Sequence, residues 1–220
     1  MARIIGVRDL YIAELVEDNG KDAPHWFPPI QVPSLISVSV TDQKENVTFY
    51  SDDTVEQIIP AFTGKEVSIE LGYLHPEIEA LITGNKVTNG IYEQSADAIA
   101  PEVAIMFRAP KSKSNNPDDA PEAFRYVTLY KGILARDEEA YNGKADTIES
   151  SNVTLTGLFM PLNYDGEVEK RADNDVIYGT KQQVDDNLAD VDERIKVEYQ
   201  TMIEEWFEEV TIEYPTPPAP

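Results

Sequence analysis

The residues that could do chemistry are few in kind. Two histidines occur, His25 in a proline-rich stretch and His75 just ahead of a short apolar stripe. No G-x-S-x-G sets a serine on a nucleophile elbow beside either one. No G-x-G-x-x-G or G-x-x-x-x-G-K-[ST] offers backbone amides to a nucleotide phosphate. Cysteine is absent, which removes disulfides, zinc–thiolate sites, iron–sulfur clusters and thiol nucleophiles. Carboxylates are plentiful, with pairs at Asp52-Asp53, Asp118-Asp119, Asp137-Glu138-Glu139 and Glu204-Glu205. A glycosidase needs two carboxylates facing each other across a sugar cleft, and among 41 acids no pair singles itself out. Asp173-Asn174-Asp175 and Asp165-Gly166-Glu167 present oxygens suited to a divalent cation, but neither follows the calcium-loop pattern. The reading is therefore no catalytic residue, no metal and no cofactor, and by elimination a protein that is not an enzyme.

Charge narrows the partners. The 220 residues hold 18 Lys and Arg against 41 Asp and Glu, a formal charge of −23. Phosphate repels such a surface, so a phosphate-gripping nucleic-acid binder is excluded. With 41% hydrophobic and 27% charged residues the chain can bury a core. Arg8 and Asp9 interrupt the opening apolar run, and no signal peptide or membrane span follows. The expectation is a soluble protein made in the cytosol, where the sequons at Asn46 and Asn152 have no meaning.

The elements that must carry these residues are mostly strands. Strict alternation marks half-buried strands at Ile36-Val38-Val40, Val67-Ile69-Leu71, Val127-Leu129 and Val153-Leu155. Val103, Ile105 and Phe107 alternate with Ala104, Met106 and Arg108, so the second face there is only partly polar. Leu10–Val16 is rich in strand formers and ends at the turn signal Asp18-Asn19-Gly20. Residues 86–94 and 175–182 are weaker strand candidates. Pro76, Glu77, Glu79 and Gly84 bracket a short helix with Ile78, Leu81 and Ile82 on one stripe. A second helix is expected from a cap at Asp185, Asp186 or Asn187, with Leu188, Val191, Ile195, Tyr199, Met202, Trp206 and Val210 following at spacings of three or four. Residues 185–214 carry 11 acids and 2 bases, net −9; −23 less −9 leaves −14 on the rest. The organisation expected is a β-rich domain over 1–184, an acidic helical segment over 185–214 packed on it, and a proline-rich tail over 215–220. The fold class is mainly β, an antiparallel sandwich or barrel-like fold with one short flanking helix and a C-terminal helix. Three stretches, 17–34, 42–64 and 108–123, read as long loops.

The order of segments resembles the major tail proteins of long-tailed, non-contractile bacteriophages, the subunits of the tail tube. Ile5-Gly6-Val7-Arg8-Asp9-Leu10-Tyr11-Ile12-Ala13 resembles the family's opening, and Thr48-Phe49-Tyr50-Ser51-Asp52-Asp53 its aromatic-small-acidic motif. Glu66–Leu71 followed by Leu81-Ile82-Thr83-Gly84 is similar to its strand and short helix. Pro101–Phe107 and Arg125–Gly132 look like its central strand pair, Val153–Gly157 its last core strand, and Trp206–Val210 a C-terminal aromatic motif. Each motif is short, and together they span nearly the whole chain.

The resemblance implies a β-sandwich whose copies close into hexameric rings. The rings stack into a virion tube that joins capsid to tail tip and passes the genome on ejection. Partners implied are the chain itself and the tail terminator, tape-measure and tail-tip proteins, with DNA passing through unbound, no membrane, and assembly in the host cytoplasm. Ring closure needs heterologous side contacts, and stacking needs a second, open-ended contact. Trp26, Phe27, Ile58, Ile59 and Phe62 are the candidate subunit-interface residues, with folding back onto their own core as the other use for them. Glu66 and Glu70 are the candidate lumen-facing acids. Two other readings stay open on the sequence. One is another phage structural protein (tail terminator or head decoration), and the other is a carbohydrate-binding β-sandwich module.

Overall fold

Period-two stretches become strands, and ten of them join into one curled antiparallel sheet, with a short helix on its inner face and another on its outer face, while two more form a separate hairpin. A computed structural model describes residues 3–51, 54–112, 123–139, 152–174 and 193–212. In chain order the elements are β1 (Arg3–Ile4), β2 (Arg8–Glu17), β3 (His25–Trp26), β4 (Ile30–Val32), β5 (Leu35–Ser51), β6 (Thr54–Leu71), α1 (Pro76–Thr83), β7 (Lys86–Thr88), β8 (Ile91–Glu93), β9 (Val103–Ser112), β10 (Ala123–Glu139), β11 (Val153–Phe159), β12 (Glu169–Asp173) and α2 (Glu193–Glu204). The strand order is β3-β2-β9-β10-β11-β6-β5, with β4 beside β2, β12 beside β10 and β1 beside β9. The mainly antiparallel β class expected from the alternation is the class observed.

Two residues force the sheet to curl. β4 and β5 lie at opposite ends of the strand order, yet only Pro33-Ser34 separates them in sequence. Ser34 takes the left-handed conformation (φ 64°), and its carbonyl accepts the Gly72 amide at 2.8 Å, tying that corner to the end of β6. The curl encloses the main core: Leu10, Ile12, Val67, Ile69, Leu71, Ile105, Leu129, Leu134, Leu155 and Phe159 are buried there, with Ile78 and Ile82 of α1 closing it. β10 is the central strand. Its first half lies between β9 and β12, and its second half pairs with β11. Gly132 stands opposite Phe159 in that pairing, and a Cβ there would sit 2.6 Å from the Phe159 ring, so only glycine lets the ring lie on the strand.

Several expectations need correction. Residues 42–64 form no loop; they are the outer part of a β5–β6 hairpin paired from Leu35↔Leu71 to Ser51↔Thr54. Pro60 and Gly64 fall inside β6. Past Lys65, among the described residues, β6 has a ladder on one side only, and a proline is tolerated where the other edge needs no donor. The stretch 17–34 contains β3 and β4, and 86–94 is the β7–β8 hairpin turning at Asn89-Gly90 (φ 53° and 78°). Ile36 leaves the alternation because the register shifts between Leu35 and Ser37, and it is exposed. α1 runs over the expected residues, with Gly84 at φ 70° as its exit and His75 Nδ1 accepting the Glu77 amide at its entry. α2 stops at Glu204 rather than reaching Tyr214. Glu204, Glu205, Glu208 and Glu209 oppose the negative end of a helix, and Val210 and Ile212 instead pack beside Trp26 and Tyr130. The capping residues expected at 185–187 and the strand expected at 175–182 lie outside the described residues, as does the stretch 113–122.

The C-terminal segment explains the mixed face of β9. Met106, Tyr126 and Ala172 on the outer side of the sheet are buried under Tyr199, Met202, Ile203, Trp206 and Phe207. Phe207 stacks on Tyr11 at 4.6 Å between ring centroids. The segment therefore packs on its own subunit and covers β2, β9 and the first half of β10.

Candidate functional site

Among the described residues, the other half of the sheet has nothing over its outer face. On β5, β6, β11 and the second half of β10, inward positions are buried or half-buried: Val38, Val40, Val67, Ile69, Leu71, Val153, Leu155 and Leu134. The outward positions line up in three cross-strand rows: Ser37–Glu70–Thr154, continued in the ladder by Glu138, then Ser39–Ser68–Thr156–Ala135 and Thr41–Glu66–Leu158–Ile133. These rows carry hydroxyls, acids and a small apolar corner, and no lysine or arginine. Leu158 and Ile133 are about half exposed there.

Glu66 and Glu70 are brought together on this face as the alternation of 66–71 predicted. Neutral donors hold both. Gln43 Nε2 lies 2.5 Å from Glu66, while Ser37 Oγ (3.2 Å) and Asn152 Nδ2 (2.7 Å) donate to Glu70. The carboxylates are aligned without being neutralised. The nearby Lys65 points inward instead, at 2.6 Å from Asp42 and 2.7 Å from Glu169. Burial pulls the Lys65 pKa down, but those two carboxylates outweigh it and raise it above the ordinary lysine value. The sequence pattern showed the acids; the partnering by Asn152, 82 positions away, has no local signal.

Two edges and an arm flank this face. β5 has a strand on one side only, so its other edge is free over Leu35–Glu45 among the described residues. Beyond Lys65, β6 loses β11, and among the described residues 44–62 pair only with each other as a two-stranded ribbon. At roughly 3.3 Å per residue, the 54–64 stretch carries the chain some ~35 Å along. A lone two-stranded ribbon is marginal in water, and this one is rich in Val, Phe, Tyr and Ile.

The five expected interface residues separate into two groups. Trp26 is buried in its own subunit, its indole Nε1 donating to the Tyr130 carbonyl at 3.1 Å with the ring against Tyr130. It serves the core that the sequence left as its other use. Phe27, next to it, is 53% exposed. Phe62 is exposed at the base of the arm, and the backbone pairs Thr48↔Ile58 and Val47↔Ile59 put Ile58 and Ile59 farther out along it. Trp26 and the arm residues thus do not share one surface.

The remaining polar groups are structural. Asp173 accepts from Arg125 Nε and Nη2 (2.8 and 2.9 Å) and lies 2.9 Å from Lys111 Nζ. The cation-site reading of Asp173-Asn174-Asp175 therefore meets two cations of the chain itself, and Asp175 lies outside the described residues. A cleft of about 280 Å³ lies between α1 and β10, lined by Glu79, Thr83, Asn85, Tyr92 and Arg136 among others. Glu79 and Arg136 neutralise each other across it at 2.7 Å. No group of three His, Asp or Glu suited to a metal occurs among the described residues, and no described helix is long and apolar enough to cross a membrane. Neither a family model nor a curated protein matches the chain.

Proposed function

We propose that the chain is a structural subunit of a phage tail tube, forming stacked hexameric rings through which the genome passes. The carrying observation is the bare outer face of β5, β6, β11 and the end of β10, where Glu66 and Glu70 stand among hydroxyls without a cation. DNA carries roughly one negative charge per 1.7 Å of its axis, and a basic wall would bind it by releasing counterions. A wall of hydroxyls and unneutralised carboxylates offers phosphate no cation, so no counterions are released and DNA slides.

The free β5 edge suits pairing with a neighbouring copy, which would continue the face around a ring and hide an edge that otherwise invites aggregation. The β5–β6 arm, with Phe62, Ile58 and Ile59, supplies contact between rings, and the exposed Phe27 is a further contact point. Under this reading purified protein at rising concentration gives long tubes in electron micrographs. Persistent monomers, or monomers that bind a polysaccharide, would reject it, and discrete rings that never stack would point to a terminator.

The charge argument makes its own prediction. Glu66→Lys with Glu70→Lys introduces up to four charge units per subunit on the bare face, and intact particles carrying the pair should eject DNA markedly more slowly. The slowing should lessen at high salt, because counterion release drives the binding. Ejection at the unaltered rate at all ionic strengths removes these two residues from the lumen.

A further inference from the structure

Asp18, Lys131 and Glu102 meet where the end of β2 crosses the middle of β10. Lys131 Nζ lies 2.9 Å from Asp18 Oδ2, and Glu102 Oε2 lies 3.7 Å from the same nitrogen. The side chains are 10% exposed for Lys131 and 2% for Asp18, against 37% for Glu102. Three other contacts fix the geometry. The Asn163 amide donates to Asp18 Oδ2 at 2.8 Å, the Asn163 side chain to the Asp18 carbonyl, and Leu15 N to the Glu102 carbonyl. Asp18 Oδ1 is buried and accepts no hydrogen bond among the described residues. Tyr130, the residue preceding Lys131, is fully buried in an apolar cluster with Trp26.

We propose that Lys131 and Asp18 form an intramolecular isopeptide bond, with Glu102 as the acid–base group. An amine and a carboxylic acid condense only in their neutral forms, and burial by itself disfavours the charged carboxylate. The proton moves from the Lys131 ammonium to Asp18 along the 2.9 Å contact. The freed Nζ lone pair then attacks Asp18 Cγ. Glu102 takes a proton from the nitrogen and returns it to the departing hydroxyl. One C–N bond forms, one C–O bond breaks, and one water leaves; nothing is oxidised or reduced. Burial raises the Asp18 pKa, but the Asn163 amide and Lys131 outweigh it and hold the carboxyl below its ordinary value. The resting pair is therefore ionic, and the reaction runs slowly, through the minor neutral form. The link spans 113 positions of sequence and ties a strand end to the centre of the sheet. It is independent of the tail-tube reading.

Mass spectrometry of the purified full-length chain tests it. The expected intact mass is lower than the sequence mass by one water. Tryptic digestion should give residues 9–21 joined to 126–136, because a linked Lys131 is no longer cleaved. Lys131→Arg should show the full sequence mass, and Glu102→Gln should slow the linkage at least tenfold while folding normally by circular dichroism. Full sequence mass in the folded wild type after prolonged incubation, with 126–131 recovered as a free peptide, overturns the proposal. So does a water loss confined to 9–21, the signature of a succinimide at Asp18-Asn19. Linkage at the wild-type rate in Glu102→Gln removes Glu102 from the chemistry.

Discussion

Replacing residues 46–60 with Asn-Gly should leave a folded monomer that no longer makes tubes. Glu45 and Ala61 face each other in the ladder, so an Asn-Gly turn closes the shortened hairpin without disturbing the register. Among the described residues the segment removed pairs only with itself, and the described buried clusters draw on β5 and β6 no farther out than Val40 and Val67. Thermal unfolding should therefore shift by no more than a few degrees. Assembly should suffer far more. Apolar anchors in an interface are worth about 2 kcal/mol or more each, so losing two of them costs about 4 kcal/mol. That corresponds to roughly a thousandfold rise in the critical concentration for polymerisation. Sedimentation velocity read beside electron microscopy measures both halves. Tubes at the wild-type concentration would show that the arm does not carry the stacking contact.

How far the arm was legible is instructive. Thr48-Phe49-Tyr50 and Ile58-Ile59 are good strand formers, and local propensity alone favoured a hairpin. The whole of 42–64 nevertheless reads as a long loop in sequence, and it holds Pro60 and Gly64, which are uncommon inside a central strand. What matters is whether a second strand lies alongside, and that is a property of β11 ending at Phe159, nearly 100 positions later. The same distance hides the covered face of β9. Ala104 and Met106 showed that this face was not polar, but nothing near them points to Tyr199, Met202 and Ile203 as the cover. The helix around those residues was legible from its three-and-four spacing, while its end was not, since the Glu-rich turn and the pull of Val210 and Ile212 toward Trp26 compete with propensity. In the candidate site, the acids of 66–71 were visible from alternation. The absence of cations on their face was not, because it depends on Lys65 pointing inward to Asp42 and Glu169. Trp26 shows the limit from the other side: a tryptophan among prolines has the same sequence signature whether it meets a neighbour or its own Tyr130.

Loss of Asp173 should cost substantial stability. Its carboxylate, 9% exposed, receives both Arg125 nitrogens and Lys111, itself equally buried. Its backbone amide and carbonyl both meet the Tyr199 hydroxyl, so the same residue fastens α2. Asp173→Ala removes the buried carboxylate that Arg125 and Lys111 share, and breaking a buried ion pair costs about 3–5 kcal/mol where neither water nor another partner replaces it. Arg125 is about a third exposed and relaxes toward solvent, which places the expected loss at about 3 kcal/mol, near the lower end of that range. Urea titration should show the midpoint falling, and the tryptophan emission should report α2 loosening first, since Trp206 lies under it. The pH dependence has a definite sign. Arg125, with Lys111, holds the Asp173 carboxyl below its ordinary 3.8 despite burial, which opposes them. A carboxyl depressed in the folded state stabilises fully above its unfolded pKa, and that stabilisation disappears as pH falls through the lower folded value. Wild type should therefore lose the contribution progressively below about pH 4, whereas Asp173→Asn should lack it at neutral pH and show a shallower acid limb. Parallel acid limbs in the two proteins would mean that the Asp173 ion pairs contribute nothing to holding β12 and α2 on the sheet.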